Sequence, residues 1–535
     1  MNEFDVVIVG LGPTGATLAN FLGLAGLRVA VVEREVDVYA LARAVHFDDE
    51  VMRVFQTLGL ADAMGEHVTW FPGTEFWNAD GETLAEWPRE KVPSAQGWFA
   101  SYRFYQPLLE QTLRDGLDRF PSVSIHLGME AVAVAEHADH AVVTARSIGG
   151  EDDDLLELRA RWVVGCDGAR SIVRKAMGAT LDDLGQHERW LIIDLALDRP
   201  IDSLPPRSVQ LCDPARPGTL INMIGLRRRW EWMVVDGDSP EELAAPAGVW
   251  KLVAPWVDSE HATIERAVVY EFHSMLADRW RGGRLLLAGD AAHLMPPFMG
   301  QGMCSGIRDA ANLAWKLVAI EHGQADETIL ETYQSERAPH VRTYIELANA
   351  LGRIIQTTDP AVARERDRDL VAVREGGQVG PPWSELTKKP RLGPGLHDDV
   401  APAGTLAPQP AVDRDRRLDD VAGWQFTLIA DVELAEWARA QVSSSRSLGA
   451  PTPDGDPASR VAHPERLAIV EASGLEASGL EASGPEASGG GLADYLDALG
   501  ARAVLLRPDR YVAGTARDAT ELAELLRHRL VASPE

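Results

Sequence analysis

Three glycines and one acidic residue near the start of the chain have the types and spacing needed to bind a dinucleotide. Gly10, Gly12 and Gly15 form a GxGxxG pattern, and Glu33 follows 18 residues after the last glycine. Gly10 permits a tight turn, Gly12 lets backbone amides approach a pyrophosphate, and Gly15 lets a helix pack close to a strand. A carboxylate at Glu33 can accept hydrogen bonds from ribose hydroxyls. The pattern therefore predicts a site for the ADP part of a dinucleotide.

The residues around these glycines have patterns typical of two strands and one helix. Residues 4–9 and 28–32 are short apolar runs rich in β-branched residues, as in buried strands. Between them, apolar residues recur at helical spacing. The free amides at the N-terminus of such a helix favour phosphate. Because strand, turn, helix, strand and acid occur together, the pattern is more specific than a GxGxxG sequence alone.

Two later strands are also predicted to end near an aspartate. Residues 161–166 form an apolar run that leads into Asp167, and residues 283–288 form another that leads into Asp290 within the sequence GDAAH. In open α/β sheets, ligands bind at the carboxyl ends of the strands. We therefore expect both aspartates at the same sheet edge as the glycines.

Composition narrows the class of protein. The 535 residues carry a formal net charge of −29, which argues against a nucleic-acid or anionic-membrane partner. The three cysteines, Cys166, Cys212 and Cys304, form no CxxC pair, so we predict no disulfide framework and no metal site. Glu3 and Asp5 are atypical of a signal peptide, and no apolar run is long enough for a membrane helix. We expect a cytoplasmic protein.

The motifs together resemble those of the single-component (class A) FAD-dependent aromatic hydroxylases, the family of p-hydroxybenzoate hydroxylase and 3-(3-hydroxyphenyl)propionate hydroxylase. The likeness is carried by the GxGxxG sequence with Glu33, by DGARSIVR at 167–174, and by GDAAH with the following PP and GQG at 289–302. The segments at 211–214 and 506–512 add to it. The C-terminal part is similar to the thioredoxin-like domain of some members, but it has no cysteine, which excludes thiol redox chemistry there.

The resemblance implies an α/β fold with a Rossmann-like FAD-binding domain of the glutathione-reductase type, an antiparallel-sheet substrate domain and a C-terminal thioredoxin-like α/β domain. We assign the FAD-binding domain to 1–75, 101–180 and 281–356, the substrate domain to 76–100 and 181–280, a polar linker to 357–390 and the last domain to 391–535. Within it, residues 471–491 repeat EASG, a polar low-complexity sequence that we predict to be a disordered loop.

The resemblance also implies tightly but non-covalently bound FAD and NAD(P)H as a transient electron donor. Met303 and Cys304 would offer backbone amides to the flavin, where a helix N-terminus stabilises negative charge on the reduced ring. Many relatives have Asn where this chain has Cys304, so only a backbone contact carries over. The residues implied to contact FAD are Gly10, Gly12, Pro13, Thr14, Gly15, Glu33, Arg34, Arg43, Gln106, Asp167, Gly289, Asp290, Pro297, Gly300, Gly302, Met303 and Cys304.

The chemistry implied is hydroxylation of a phenolic or heteroaromatic ring by O2 through a flavin hydroperoxide. Pro297 matches a family position beside the reacting flavin face. A phenol reacts more readily when its proton is withdrawn, so a base or relay is expected near the ring. His46, Asp48 and Asp213 are candidates for this role, and His293 is a further one that can equally be structural.

The substrate pocket is expected between the flavin and the antiparallel sheet. Candidate wall residues are Trp190, Cys212, Met223 and Trp232. A carboxylated substrate would need a cation there, and Arg189 or Arg216 could supply it, although arginines are mostly exposed.

Two other functions fit the same FAD-binding pattern. An FAD-dependent oxidase or dehydrogenase would form hydrogen peroxide without an oxygenated product. A non-catalytic FAD-binding protein would show no substrate-stimulated turnover. The substrate, the choice between NADH and NADPH, the proton-transfer residue and self-association stay open at this point.

Overall fold

The structure is a computed structural model, and the residues described are 2–149, 155–376, 388–411, 416–444, 467–472 and 491–529. The EASG repeat predicted as a disordered loop lies almost entirely outside the described residues. The α-helices are Pro13–Leu24, Asp49–Thr57, Ala61–Gly65, Gln106–Asp115, Ile172–Ala176, Pro240–Ala244, Pro246–Val253, Gly302–Glu321, Glu331–Ile355, Pro360–Glu375, Leu418–Ala422, Val432–Ser444, Leu492–Leu499 and Ala519–Arg529.

The strands form four sheets. They are Asn2–Val9, Val29–Glu33, His46–Asp48, Val68–Trp70, Gly73–Trp77, Thr83–Pro88, Ser101–Phe104, Val123–Leu127, Met129–Glu136, Ala141–Ser147, Leu155–Gly165, Leu181–Leu197, Ser208–Leu211, Gly218–Asn222, Arg227–Met233, Ala262–Ala277, Arg281–Gly282, Leu285–Leu287, His293–Leu294, Phe426–Ala430, Leu467–Glu471, Ala503–Leu506 and Val512–Ala516. Short 3-10 helices occur at Gly116–Arg119, Gly289–Ala291, Pro297–Met299 and Glu327–Leu330.

The first sheet has a parallel centre that contains the predicted dinucleotide strands. Asn2–Val9 lies between Val29–Glu33 and Leu155–Gly165, and Leu285–Leu287 pairs with the far side of Leu155–Gly165. The residues of the central strands are buried and β-branched or aliphatic, as expected for a parallel sheet covered on both faces. This arrangement confirms the predicted Rossmann-like α/β class.

The carboxyl ends of these strands lie in one row. Val9 is in register with Val32 on one side and with Gly165 on the other, and Gly165 is in register with Leu287. Neighbouring strands are about 4.8 Å apart. The segments that follow each strand therefore begin side by side, as the sequence predicted for the glycines, Asp167 and Asp290.

The second sheet is almost wholly antiparallel, and most of its strands lie in the range predicted for the substrate domain; His293–Leu294 lies in the range predicted for the FAD-binding domain, and Gly73–Trp77 crosses the predicted boundary. Its eight strands run from His293–Leu294 at one edge to Thr83–Pro88 at the other, with Ala262–Ala277 and Leu181–Leu197 as its longest members. One pairing, between Ser208–Leu211 and Gly73–Trp77, is parallel. The predicted antiparallel sheet is confirmed.

The C-terminal residues form a small mixed sheet of four strands flanked by helices. Phe426–Ala430 pairs in parallel with Leu467–Glu471 and antiparallel with Ala503–Leu506. The range predicted as a linker carries the helix Pro360–Glu375, which begins at an Asp359 side chain that accepts two backbone N–H groups. None of the helices in the described part of the chain is both long and apolar enough to cross a membrane.

Candidate active site

The turn after the first strand approaches the second strand end too closely for side chains. Gly10 has φ of +100°, and a Cβ there would lie 2.4 Å from the carbonyl oxygen of Cys166. A Cβ on Gly15 would lie 2.0 Å from the carbonyl oxygen of Gly10. Glycine at these two positions therefore allows the turn, the helix and the segment before Asp167 to pack together.

The N-terminus of the helix Pro13–Leu24 has the features that a pyrophosphate requires. A Cβ on Gly12 would meet no atom within 4 Å, so open space lies beside this residue. Gly12 is the N-cap and offers no side chain to the first amides of the helix. Uncapped amides and the helix dipole favour an anion there. The chain thus fits the diphosphate of FAD at this end.

Glu33 is held in place by the backbone next to it. Its Oε2 accepts the N–H of Leu11 at 2.7 Å and its Oε1 accepts the N–H of Glu35 at 2.9 Å. A carboxylate has about four acceptor positions, so both oxygens can still accept ribose hydroxyls. Arg34, also predicted to contact FAD, is exposed and pairs with Glu35.

Asp167 has one oxygen engaged and one oxygen without a partner. Its Oδ2 accepts the N–H groups of Ile172 at 2.6 Å and Val173 at 3.4 Å, which fixes the start of the next helix. Its Oδ1 is buried and has no hydrogen-bond partner among the described residues. Burial raises the pKa of Asp167. A buried unpaired carboxylate oxygen is costly, so this atom fits contact with a donor from a bound cofactor.

The third strand end packs directly on the first helix. A Cβ on Gly289 would lie 2.6 Å from Oγ1 of Thr14, and one on Gly306 would lie 2.2 Å from the same atom. The N–H of Gly289 donates to Oδ2 of Asp309 at 3.0 Å, which anchors this turn to the long helix. Asp290 is exposed beside it. The segments that follow the three strands, which begin at Gly10, Cys166 and Ala288, therefore lie next to one another.

Arg43 and Gln106 are joined through the backbone. Oε1 of Gln106 accepts the N–H groups of Arg43 at 2.8 Å and Ala44 at 2.6 Å. The carbonyl of Arg43 accepts Nη1 of Arg229 at 2.8 Å, and this arginine belongs to the second sheet. Gln106 thus fixes the Arg43 loop, while the Arg43 side chain stays exposed.

His46 lies beside the loop that follows the third strand end. Its Nε2 is hydrogen-bonded to Oγ of Ser101, whereas its Nδ1 is buried without a partner among the described residues. A Cβ on Gly300, which has φ of +64°, would lie only 2.8 Å from that Nδ1. Burial lowers the pKa of His46 to about 4, so the ring is neutral at pH 7.

Asp48 is tied into a buried ion-pair cluster. Its Oδ1 caps the next helix by accepting the N–H of Val51 at 3.2 Å, and its Oδ2 accepts from Nη2 of Arg308. Arg308 also donates to Oε2 of Glu50 at 2.7 Å. Burial alone would raise the pKa of Asp48, but the Arg308 guanidinium outweighs it and holds the pKa well below its usual range. Asp48 is therefore an ionised partner of Arg308 rather than a free base.

 The Pro297–Met299 turn places Phe298 edge-to-face against Trp190, with ring centroids 5.6 Å apart. Gly300, Gly302 and Met303 are partly buried, and the helix Gly302–Glu321 begins there without a side-chain cap. Cys304 is fully buried, and its Sγ lies 3.6 Å from the carbonyl oxygen of Gly300. Its thiol points back into the protein, so only its backbone remains for a ligand.

The four candidate wall residues do not share one surface. Trp190 and Cys212 belong to the same buried apolar cluster, which also contains Phe298. Trp232 is in register with Leu191, the neighbour of Trp190, and side chains alternate between the faces of a strand. Trp232 therefore packs in a different cluster on the opposite face of the sheet.

Met223 lies in a third cluster, with Ala42, Val45, Tyr105 and Ile221. This cluster adjoins the Arg43 loop rather than the Pro297–Met299 turn. The structure thus places Trp190 and Cys212 in the cluster on which Phe298 packs, and it separates Met223 and Trp232 from them. Burial raises the pKa of the Cys212 thiol to about 12, so this side chain is neutral at pH 7.

The other polar candidates are engaged elsewhere. Arg216 forms a bidentate pair with Asp238 at 2.7 and 2.8 Å, and Arg189 is exposed. Oδ1 of Asp213 accepts the N–H of Ala215 at 2.8 Å within a turn. Nε2 of His293 lies 2.7 Å from Oδ2 of Asp309, which gives this histidine a structural partner.

The structure also places residues near the site that the sequence did not indicate. Ser101 is hydrogen-bonded to His46, and Arg308 is hydrogen-bonded to Asp48. Gln301 is hydrogen-bonded to both Asp48 and Arg308. Gln301 and Arg308 are seven residues apart at the start of one helix, a spacing that places them on one face. That spacing alone could have suggested contact between them, but not their shared partner Asp48.

An exposed group outside this site has the residue types of a metal site. Ligand atoms of His187, Glu271 and His273 lie within 4.8 Å of one another. Nε2 of His187 lies 2.7 Å from Oδ2 of Asp183. The sequence predicted no metal site, and exposed groups of this kind are common without a metal.

Most of the chain matches two families of known proteins. Residues 3–348 match the family described as FAD binding domain, and residues 404–529 match the HcaD C-terminal domain. A probable NADH-specific resorcinol 4-hydroxylase of Rhodococcus jostii is 37% identical over 99% of this chain and 95% of the relative. A 3-(3-hydroxy-phenyl)propionate/3-hydroxycinnamic acid hydroxylase of Burkholderia vietnamiensis is 36% identical over 96% and 93%.

Solved structures share the whole fold. The flavin-dependent monooxygenase PieE, solved with FAD and substrate, is similar with a TM-score of 0.76 at 22% identity, covering 99% of both chains. Aklavinone-11 hydroxylase, solved with FAD and aklavinone, has a TM-score of 0.75 at 24% identity, covering 99% of this chain and 100% of the other. At these identities the likeness establishes the fold.

Proposed function

The chain belongs to the FAD binding domain family, and from that membership we propose its reaction, the NADH-dependent hydroxylation of a phenol with a second substituent meta to the hydroxyl. The enzyme class is an FAD-dependent aromatic-ring monooxygenase, as in the named relatives. The observation that carries the proposal is the meeting of three strand ends beside one histidine and one apolar cluster.

The residues that would hold FAD follow from this arrangement. The N–H groups of Gly12, Thr14 and Gly15 would receive the diphosphate, Glu33 would receive the ribose, and the free oxygen of Asp167 would accept from a further donor. The uncapped turn at Gly302 and Met303 would face the flavin ring. When bound, FAD takes electrons from NADH and activates O2; the hard chemistry belongs to the cofactor.

His46 is the residue that we propose for proton transfer from the phenol. Its Nδ1 is unpartnered, and its ring is neutral, so this nitrogen can accept a hydrogen bond from a substrate hydroxyl. With Nδ1 as the acceptor, the N–H at Nε2 donates to Oγ of Ser101, which holds the ring in this tautomer. Because Asp48 is already paired with Arg308, we assign it the positioning of the strand that carries His46.

The apolar cluster around Trp190, Cys212 and Phe298 is proposed to enclose the ring and keep water away from it. The substrates named for the relatives, resorcinol, 3-(3-hydroxy-phenyl)propionate and 3-hydroxycinnamic acid, are all phenols substituted at the meta position. Arg189 is exposed and Arg216 is paired with Asp238, so neither supplies a free buried cation. Resorcinol is proposed by likeness to the Rhodococcus relative. NADH is proposed as the donor by likeness to the Rhodococcus relative, and the cytoplasm as the place of reaction.

A substrate assay tests this proposal. Purified protein with bound FAD is mixed with NADH and with resorcinol or 3-(3-hydroxyphenyl)propionate, and NADH consumption and product mass are followed. We expect resorcinol to stimulate NADH oxidation and to gain one oxygen atom. Turnover with NADPH but not with NADH would contradict the proposed donor, and turnover with the acid but not with resorcinol would contradict the proposed substrate. Hydrogen peroxide in an amount equal to the NADH consumed, with no oxygenated product, would indicate an oxidase.

A further inference from the structure

The C-terminal domain contributes a buried hydroxyl to the ion-pair cluster beside the candidate active site. Tyr511 is 4% exposed, and its Oη donates to Oε1 of Glu50 at 2.8 Å. The other oxygen of Glu50 accepts from Nε of Arg308 at 2.7 Å. Glu50 thus accepts one hydrogen bond from the C-terminal domain and one from the FAD-binding domain.

Arg308 is also hydrogen-bonded to the turn that is proposed to face the flavin. Its Nη1 donates to Oε1 of Gln301 at 2.9 Å, and Nε2 of Gln301 donates to Oδ2 of Asp48 at 3.2 Å. Gln301 lies between Gly300 and Gly302. The Gly300–Gly302 turn, which is proposed to contact the flavin, is therefore fixed by the Gln301 side chain, and Arg308 fixes that side chain by a hydrogen bond.

On its other side, Tyr511 is connected to the Gly289 turn. Nη1 of Arg337 donates to Nδ1 of His340 at 2.9 Å, so the proton of this imidazole is on Nε2, which lies 3.4 Å from Oη of Tyr511. Nε of Arg337 donates to Oδ1 of Asp309, whose other oxygen accepts the N–H of Gly289. Tyr511 therefore stands in the middle of a chain of hydrogen bonds between two turns of the FAD site.

The C-terminal domain is fixed against the FAD-binding domain by further buried pairs. Arg507 donates to both oxygens of Glu336 at 2.7 and 2.9 Å, and Arg53 donates to both oxygens of Asp419 at 2.6 and 2.9 Å. All four side chains are at most 2% exposed. Two bidentate pairs at separate places restrict the orientation of the domain, and with it the position of the Tyr511 hydroxyl.

We propose that Tyr511 is a positioning residue for the FAD site, through which the C-terminal domain fixes the Gly300–Gly302 turn. The inference rests on the proposed placement of this turn against the flavin. It gives a role to a domain that has no cysteine for redox work. Removing only the hydroxyl would leave a buried oxygen of Glu50 without its donor.

Tyr511→Phe in the full-length chain tests the inference, with Tyr495→Phe as the matched control. Tyr495 packs against an apolar cluster made up of residues of the C-terminal domain. We expect Tyr511→Phe to weaken FAD binding about tenfold and to shift the flavin midpoint potential and the visible circular dichroism of the flavin. Tyr495→Phe should leave all three unchanged.

A double-mutant cycle with Gln301→Met separates transmission from general destabilisation. If Tyr511 acts through Gln301, the double variant binds FAD no more weakly than Gln301→Met alone. Fully additive losses, or a lower melting temperature with unchanged potential and dichroism, would overturn the inference. Should Tyr511→Phe fail to fold, Glu50→Gln, which keeps an acceptor for Tyr511 but removes the charge that pairs with Arg308, must show the same flavin changes.

These readouts need neither substrate nor NADH. A protein that binds FAD but hydroxylates no phenol would refute the proposed function and leave this test valid. A normal hydroxylase whose flavin is indifferent to Tyr511→Phe would refute the inference alone.

Discussion

Thr14 and Gly289, 275 residues apart in the chain, meet beside the strand ends that are proposed to bind FAD: a Cβ on Gly289 would lie 2.6 Å from the Thr14 hydroxyl. Gly289 also has φ of +62°, which disfavours any other residue. We expect Gly289→Ala to destabilise the protein by about 1–3 kcal/mol and to lower its FAD content. Chemical denaturation and the ratio of flavin to protein measure the two effects. Gly323→Ala, at φ of +71° with open space, is the control that loses stability without losing FAD.

Asp290→Ala should weaken FAD retention without unfolding the protein. Asp290 is exposed at the third strand end, so its removal should change the free energy of unfolding by less than about 0.5 kcal/mol. The flavin-to-protein ratio after gel filtration should fall, while Asp236→Ala, also exposed, keeps its flavin. An unchanged ratio would remove Asp290 from the FAD site.

The local part of the site could be predicted from the sequence, because neighbouring residues determine it. Gly10 must turn, Gly12 must stay open, and Glu33 follows a buried strand, and all three properties are visible as short patterns. The ends of the strands at Gly165 and Leu287 were also predictable, since parallel strands present their carboxyl ends to one edge.

What the sequence could not predict depends on pairing between distant segments. Whether Trp190 or Trp232 faces Phe298 is decided by register, which moves a side chain to the other face with each single step. The partner of Asp48 is Arg308, 260 residues away, and Glu50 meets Tyr511 across 461 residues. No spacing pattern reports such contacts.

The His46 ring should make stability depend on pH between about 4 and 6.5. Its folded pKa is about 4, below its ordinary 6.5, so the unfolded chain takes up a proton first as pH falls. Its contribution is therefore complete above pH 6.5 and decreases by up to about 3 kcal/mol on the way down to pH 4. His46→Gln should lack this component. Denaturation curves at pH 7 and 4.5 test it, and equal pH differences in the two proteins would contradict a buried neutral His46.

Trp190 and Trp232 offer a matched pair for the substrate pocket. Both are buried tryptophans of the second sheet, but only Trp190 packs on Phe298. We expect Trp190→Leu to raise KM for the phenol about tenfold, which corresponds to about 1.4 kcal/mol of lost contact, because a wall of the pocket is removed. Trp232→Leu should lose stability with KM within about twofold of the parent. Equal effects on KM would place the pocket elsewhere.

The protein is proposed to hold one FAD where three strand ends meet and to hydroxylate a phenol with one oxygen atom from O2. The most direct measurement is product mass after reaction with NADH, resorcinol and 18O2. The account predicts one 18O atom in the product for each NADH consumed. Consumption of NADH with all of the oxygen recovered as hydrogen peroxide, and no labelled product from any meta-substituted phenol, would contradict it.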